Sequence, residues 1–157
     1  LIQEDLPFIK AENNMANIVP DSFKSDLLGG VFDFDSGGST FKLALYTSLA
    51  NFSTSTTAYT TTNEVSSSGT SYTAGGNTLT NNGVAVSSNI AFVDFADLTF
   101  SSVTLSAVGA LIYKSSSGNE AVLVLDFGGS KTATNGDFVV QFPTANSSSA
   151  IIRLGDA

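Results

Sequence analysis

From residue 41 onward the chain is patterned with period two. Phe41, Leu43 and Leu45 alternate with Lys42, Ala44 and Tyr46, and Phe138, Val140 and Phe142 alternate with Val139 and Gln141. Such alternation marks a strand with one face turned inward, so both segments are predicted to be half-buried. Residues 31–35, 71–73, 77–80, 84–86, 90–95, 98–105, 107–113, 121–127 and 150–154 read as further strands. Residues 121–125 are apolar throughout, which predicts a central strand covered on both faces.

Only one segment has helical spacing. Between Pro20 and Gly30, Phe23 and Leu27 share a face at i and i+4, Asp21 or Ser22 is placed to cap the orphan N–H groups, and Gly29 is placed to end the helix. Asn82-Gly83 and Asn135-Gly136 supply the positive φ angles of tight hairpins, and Gly37-Gly38, Gly75-Gly76, Gly118-Asn119 and Gly128-Gly129 mark other corners. About eight to ten short strands with turns at this spacing predict an all-β chain: a single antiparallel β-sandwich, jelly-roll-like, with one short N-terminal helix. No internal repeat and no interdomain linker is visible. Residues 20–157 are therefore assigned to the sandwich and residues 1–19 to an extended N-terminal arm.

Two stretches break the alternation. Residues 48–68 are rich in Ser and Thr, interrupted by Phe52, Tyr59 and Val65. This is either a long surface excursion or a partner-contacting loop. At the other end, Met15-Ala16-Asn17 resembles a translation start, yet fourteen residues precede it. Leu1-Ile2-Gln3-Glu4-Asp5-Leu6-Pro7-Phe8-Ile9 is apolar enough to be held against something. Both an arm reaching a neighbour and a segment folded back on its own domain fit it.

Composition narrows the functions. Charged residues make up only 13% of the 157 positions, and Ser, Thr, Asn and Gly fill the surface instead. The net charge of −8 repels phosphate and anionic lipid, and the six cations (Lys10, Lys24, Lys42, Lys114, Lys131 and Arg153) are scattered, so neither nucleic acid nor a membrane is expected as a partner. There is no cysteine and no histidine, which removes disulfides, thiolate and imidazole metal sites, and the commonest general base. No apolar run approaches a membrane span, and no signal peptide is recognisable.

The remaining candidate chemistry is thin. Asp33-Phe34-Asp35-Ser36-Gly37-Gly38 is the nearest approach to a metal motif, but a calcium loop wants an oxygen ligand where Gly37 stands and Glu where Ala44 stands. The plain reading is a strand entering a turn. Asp94 and Asp97 are the obvious pair of carboxylates for acid–base work, with Glu120, Asp126 and Asp137 on neighbouring candidate strands, but there is no Trp to form a sugar platform beside them. No serine has a base partner, and no phosphate-cradling glycine loop is present. The sequons at Asn51 and Asn146 are what a Ser-rich composition produces by chance. The chain is therefore expected to be no enzyme and to need no cofactor and no metal.

From Met15 onward the chain resembles a family of small virion structural proteins of tailed bacteriophages and prophages. The resemblance is carried by Pro20-Asp21-Ser22-Phe23-Lys24-Ser25-Asp26-Leu27-Leu28-Gly29-Gly30-Val31, Phe41-Lys42-Leu43-Ala44-Leu45-Tyr46-Thr47 and Thr57-Ala58-Tyr59. It continues through Asn63-Glu64-Val65, Tyr72-Thr73-Ala74-Gly75-Gly76, Ala110-Leu111-Ile112-Tyr113, Val124-Leu125-Asp126-Phe127 and Gly136-Asp137-Phe138-Val139-Val140-Gln141-Phe142-Pro143. It implies a protein made in the cytoplasm of the host bacterium and carried on the outer surface of the capsid. There it would act as a decoration or cement protein, binding the major capsid protein and copies of itself, with a homotrimer suited to a capsid site. Leu1, Ile2, Leu6, Phe8 and Ile9, with Ile18 and Val19, are the residues expected to dock on the partner. The alternative is a tail or neck protein, such as a receptor-binding knob that uses the Ser/Thr-rich loop; an enzyme degrading surface polysaccharide is the third reading.

Overall fold

The computed structural model describes residues 17–155. Helix α1 (Asp21–Leu28) is followed by seven strands: β1 (Phe41–Tyr46), β2 (Asn77–Thr78), β3 (Asn81–Ser87), β4 (Ile90–Phe95), β5 (Leu98–Lys114), β6 (Ala121–Val140) and β7 (Ile152–Gly155). They form two antiparallel sheets, one in the order β2-β1-β5-β6 and the other β3-β4-β7. The chain is thus all-β apart from one short helix, and the two sheets share a core in a sandwich-like arrangement. Among the described residues there is one strand fewer than the eight of a jelly roll. No helix among them is long and apolar enough to cross a membrane.

The shared core takes Phe41, Leu43 and Leu45 from β1, Ile112 from β5, Leu123 and Leu125 from β6, and Val93, Phe95 and Ile152 from the smaller sheet. Aromatic rings extend it beneath α1. Phe23 packs on Phe32 with centroids 5.2 Å apart, Phe34 stacks on Phe41 at 4.6 Å, and Phe41 meets Phe95 edge-on at 5.7 Å. Edge and offset contacts of this kind add to the stabilisation from buried area alone.

The four-stranded sheet is covered on its second face too. Ala44, Tyr46, Leu111, Tyr113, Ala121 and Val124 form a separate buried cluster there. Residues 121–125 are therefore sandwiched as the sequence predicts. β1 is not half-buried as its alternation implies, because its alternate residues Ala44 and Tyr46 are also fully buried.

Several corners read from the sequence turn out to be bulges. Residues 98–105 and 107–113 are one seventeen-residue strand, and residues 121–140 are one twenty-residue strand paired along it. Gly128 and Gly129 have positive φ at the place where pairing jumps from Ala107↔Lys131 to Gly109↔Asp126, and Asn135, at φ 47°, precedes the shifted pair Val103↔Gly136. Gly83 likewise sits in a shift within β3, between Asn81 and Val84. A bulge residue needs the same left-handed backbone as a hairpin corner, so the signal was right about φ and wrong about topology. The true β3–β4 turn is Ser88-Asn89, both at positive φ, as a two-residue hairpin of the primed type requires.

Residues 31–35 and 71–73 are not strands. Phe32 and Phe34 are buried as alternate strand residues would be, but the Asp33 carboxylate accepts the Asp35 N–H at 3.0 Å and the Ser39 hydroxyl accepts the Asp33 N–H at 3.1 Å. Side chains thus satisfy a main chain that no neighbouring strand reaches. At α1, Pro20 occupies the N-cap and neither Asp21 nor Ser22 caps. The Asp21 N–H instead donates to the Thr54 carbonyl at 2.8 Å. The helix stops at Gly29, its C-cap, as predicted; Gly30 follows at φ 75°, with Val31 N–H donating to Asp26 O and Gly30 N–H to Leu27 O.

Candidate contact surface

The Ser/Thr-rich excursion is a lid over the second face of the four-stranded sheet. Its main chain is tied down along its length. Thr47 N–H donates to Asn63 O, Val65 N–H to Leu45 O, Ala121 N–H to Thr57 O and Tyr59 N–H to Asn119 O, at 2.8–2.9 Å. The three residues that interrupt the polar run are its anchors. Phe52 meets Tyr46 edge-on at 4.7 Å, Tyr59 stacks on Tyr113 at 4.7 Å, and Val65 enters the main core. Most of the hydroxyl-bearing residues between the anchors remain exposed, giving a polar, uncharged outer surface on a fixed backbone.

All four tyrosines of the chain gather around one carboxylate beneath this lid. Glu64 accepts the Tyr59 hydroxyl at 2.6 Å on Oε2, and the Tyr72 hydroxyl at 2.8 Å and the Gly75 N–H at 2.6 Å on Oε1. Tyr113 donates to Gly75 O at 2.7 Å and Tyr46 to Thr60 O at 2.6 Å. The turn over 73–76 makes this convergence possible. Gly75 and Gly76 are both at positive φ, and a Cβ on Gly76 would overlap the Leu43 carbonyl. Burial first, and the Glu64 charge with it, raise all four phenols above their ordinary range, Tyr46, Tyr59 and Tyr72 the furthest. They act as protonated donors, which makes the cluster a clamp between lid and sheet.

The other candidate acids serve the backbone one by one. Asp33 closes its own turn, Asp97 accepts the Phe142 N–H at 2.8 Å, Asp126 the Gly128 N–H at 2.8 Å, and Asp137 the Ser102 N–H at 3.1 Å. Glu120 accepts the Ser116 hydroxyl at 2.5 Å, which holds its carboxyl below the usual range. Asp94 is the exception. It is 1% exposed, its Oδ1 accepts the Phe95 N–H at 2.8 Å, and its Oδ2 has no hydrogen-bond partner. Burial pushes it up to about 6. Among the described residues no three acids gather where they could hold a metal ion.

Of the expected docking residues, Leu1, Ile2, Leu6, Phe8 and Ile9 lie outside the described residues. Ile18 and Val19 are half-buried in the domain itself. Ile18 exchanges two 3.0 Å main-chain bonds with Val124 on β6 and packs on the lid-side cluster, and Val19 packs on the main core. The folded unit therefore reaches back at least to Ile18, inside the segment assigned to the arm. Large apolar side chains are exposed elsewhere: Leu28, Val31, Val139, and Val84, Val86 and Leu154 of the smaller sheet. For Val84 and Val86 the sequence signal is the lack of any charge between residues 65 and 93; Leu154, beside Arg153, has no such signal. No protein-family model, no curated protein and no solved structure matches this chain.

Proposed function

We propose that the protein is a structural component of a tailed-bacteriophage particle, a decoration or cement protein that binds the major capsid protein and neighbouring copies on the outer surface of the head. The sequence resemblance supplies the biological setting. The observation that carries the reading is the disposition of polar groups. Apart from Asp94, the named acids hold nearby main chain, a serine or the lid, and the hydroxyl-rich surface is fixed by main-chain bonds on both sides. A preformed surface loses little conformational freedom on binding, which favours adhesion over broad contacts. A body stabilised by two clusters on either side of one sheet also suits a protein that must fold without disulfides.

The test is a reconstruction of the native particle together with the copy number of this chain. Density repeating with the capsid lattice supports the reading. Density confined to the tail or neck, at a few copies per particle, replaces it with the alternative of a receptor-binding or tail component. Release of sugar from host envelope by the pure protein would overturn both.

A further inference from the structure

The open edge of β3 has the geometry of a self-pairing strand. β3 pairs only with β4 among the described residues, and the two-residue turn makes Ser87↔Ile90 the closing, doubly hydrogen-bonded pair. Ala85↔Phe92 is then the next such pair. The N–H and C=O groups of Val84 and Val86 must therefore point away from β4, along the free edge. These are also the strand's two large exposed apolar residues, at 50% and 72% exposure. They lie on one face of the sheet in rows that run Val86–Ala91–Leu154 and Val84–Val93–Ile152.

We infer that this edge is a contact between two copies of the chain, β3 against β3 in antiparallel register about a twofold axis at Ala85. In that register Val84 faces Val86 of the second copy and the reverse, so the outward main-chain groups of both valines are paired. The two three-stranded sheets become one of six strands. The outward groups of Val84 and Val86 match their own counterparts about Ala85, which selects a second copy as the occupant, and no charge on the strand opposes it. Each chain carries −8, so copies repel over most of their surface, yet residues 65–93 hold no charged side chain. Free edges in monomeric proteins are usually guarded by lysine, proline or an inward charge; β3, Asn-Asn-Gly-Val-Ala-Val-Ser, has none of these. Its one guard is the bulge at residues 82–83, which in this register limits flat pairing to 84–86. The contact is small against a standard interface, so the dimer is weak and concentration-dependent. Antiparallel pairing of identical strands gives a twofold contact, distinct from the trimer expected from the resemblance. The inference does not depend on the particle reading, because it is tested on the free protein.

The experiment is sedimentation of the purified full chain across a concentration series, with two variants. The wild type is expected to shift from 16.2 kDa toward twice that mass as concentration rises. Val86→Lys is expected to weaken association by about tenfold or more while leaving the melting temperature unchanged, since the side chain is exposed. Ala85→Cys places the chain's only thiol on the axis, where directly opposed residues are close enough to bridge, and is expected to give a disulfide-linked dimer on mild oxidation. A wild type that stays monomeric at millimolar concentration, or a dimer that persists in Val86→Lys and does not cross-link through Ala85→Cys, overturns it. So does a different protein captured on β3 while the chain itself remains monomeric.

Discussion

Tyr72 joins the lid to the sheet through a single oxygen: it donates to Glu64 at 2.8 Å and accepts the Leu45 N–H of β1 at 3.0 Å. Tyr72 is 3% exposed, so neither group has water as a substitute partner. Glu64 belongs to the excursion and Leu45 to the core strand beneath it. The carboxylate and the strand are thereby held at a fixed separation by a rigid ring.

Glu64→Ala should accordingly be among the most damaging polar substitutions in the chain. It leaves the Tyr59 and Tyr72 hydroxyls and the Gly75 N–H without their acceptor, a loss of ~2–4 kcal/mol from groups that are buried or half-buried. Tyr72→Phe removes one donor and the acceptor of Leu45 N–H and should cost less, about 1–2 kcal/mol. Urea denaturation measures both. A Glu64→Ala variant as stable as wild type would mean that the convergence of tyrosines is incidental.

Alkaline pH should test the same cluster from the other side. The phenols have raised values in the folded state, so their contribution is fully present below the unfolded value near 10 and is lost as pH climbs beyond it. The protein should hold its tyrosines protonated past pH 10 and then ionise them together as it unfolds. Absorbance at the phenolate band, followed beside circular dichroism, reads this directly. Gradual ionisation near pH 10 with unchanged dichroism would contradict it.

Little of this cluster was legible in the sequence, since Tyr46, Tyr59, Glu64, Tyr72 and Tyr113 share no spacing and meet only because Gly75-Gly76 turns the chain back beside Leu43. Local periodicity fared better where burial alone decides. Phe41, Leu43 and Leu45 face the core as their alternation says, and Phe32 and Phe34 do so even without a strand. What periodicity misses is coverage from outside the segment: Ala44 and Tyr46 are buried because residues 48–65 fold over them. The glycine and asparagine corners were ambiguous for a physical reason. Gly128, Gly129 and Asn135 adopt the positive φ that a hairpin needs, but the partner strand continues past them, and only pairing over twenty residues tells bulge from turn. The actual hairpin, Ser88-Asn89, has no glycine to announce it.

Gly76→Ala should show how strictly that turn is specified. The residue sits at φ 71°, and a Cβ there meets the backbone carbonyl of Leu43, which cannot swing aside as a side chain would. The expected loss is about 3 kcal/mol or more, combining left-handed strain with displacement of β1. Gly69, also at positive φ but with open space around its Cβ position, is the control and should lose only about 1 kcal/mol as alanine.

Asp94 should make the protein less stable near neutrality than in mild acid. Its folded value of about 6 lies above the ordinary value of 3.8, so the favourable contribution is complete below about 4 and disappears as pH rises through 6. A shift of that size corresponds to about 3 kcal/mol. Asp94→Asn keeps an acceptor for the Phe95 N–H and removes the buried charge. Its advantage over wild type should therefore grow between pH 4 and 7 in paired denaturation curves. An advantage that is flat across that range would show that Asp94 finds solvation the geometry does not give it.

Phe52→Ala separates the lid from the body it covers. The ring is 7% exposed and fills the space against Tyr46, while Tyr59 and the clamp at Glu64 hold the far end of the excursion. Removing a buried phenylalanine ordinarily costs about 3–5 kcal/mol. Here part of that cost can be avoided by releasing residues 48–57 alone, because the main core lies on the other face of the sheet. The variant should be cut within that stretch by a broad-specificity protease under conditions where wild type is intact, with the melting temperature lowered by less than full burial would require. If the exposed hydroxyls of the lid form part of the particle contact, the same variant should also bind particles more weakly while retaining its fold. A variant that melts early as one unit, with no preferential cleavage, would instead make lid and sandwich a single cooperative structure.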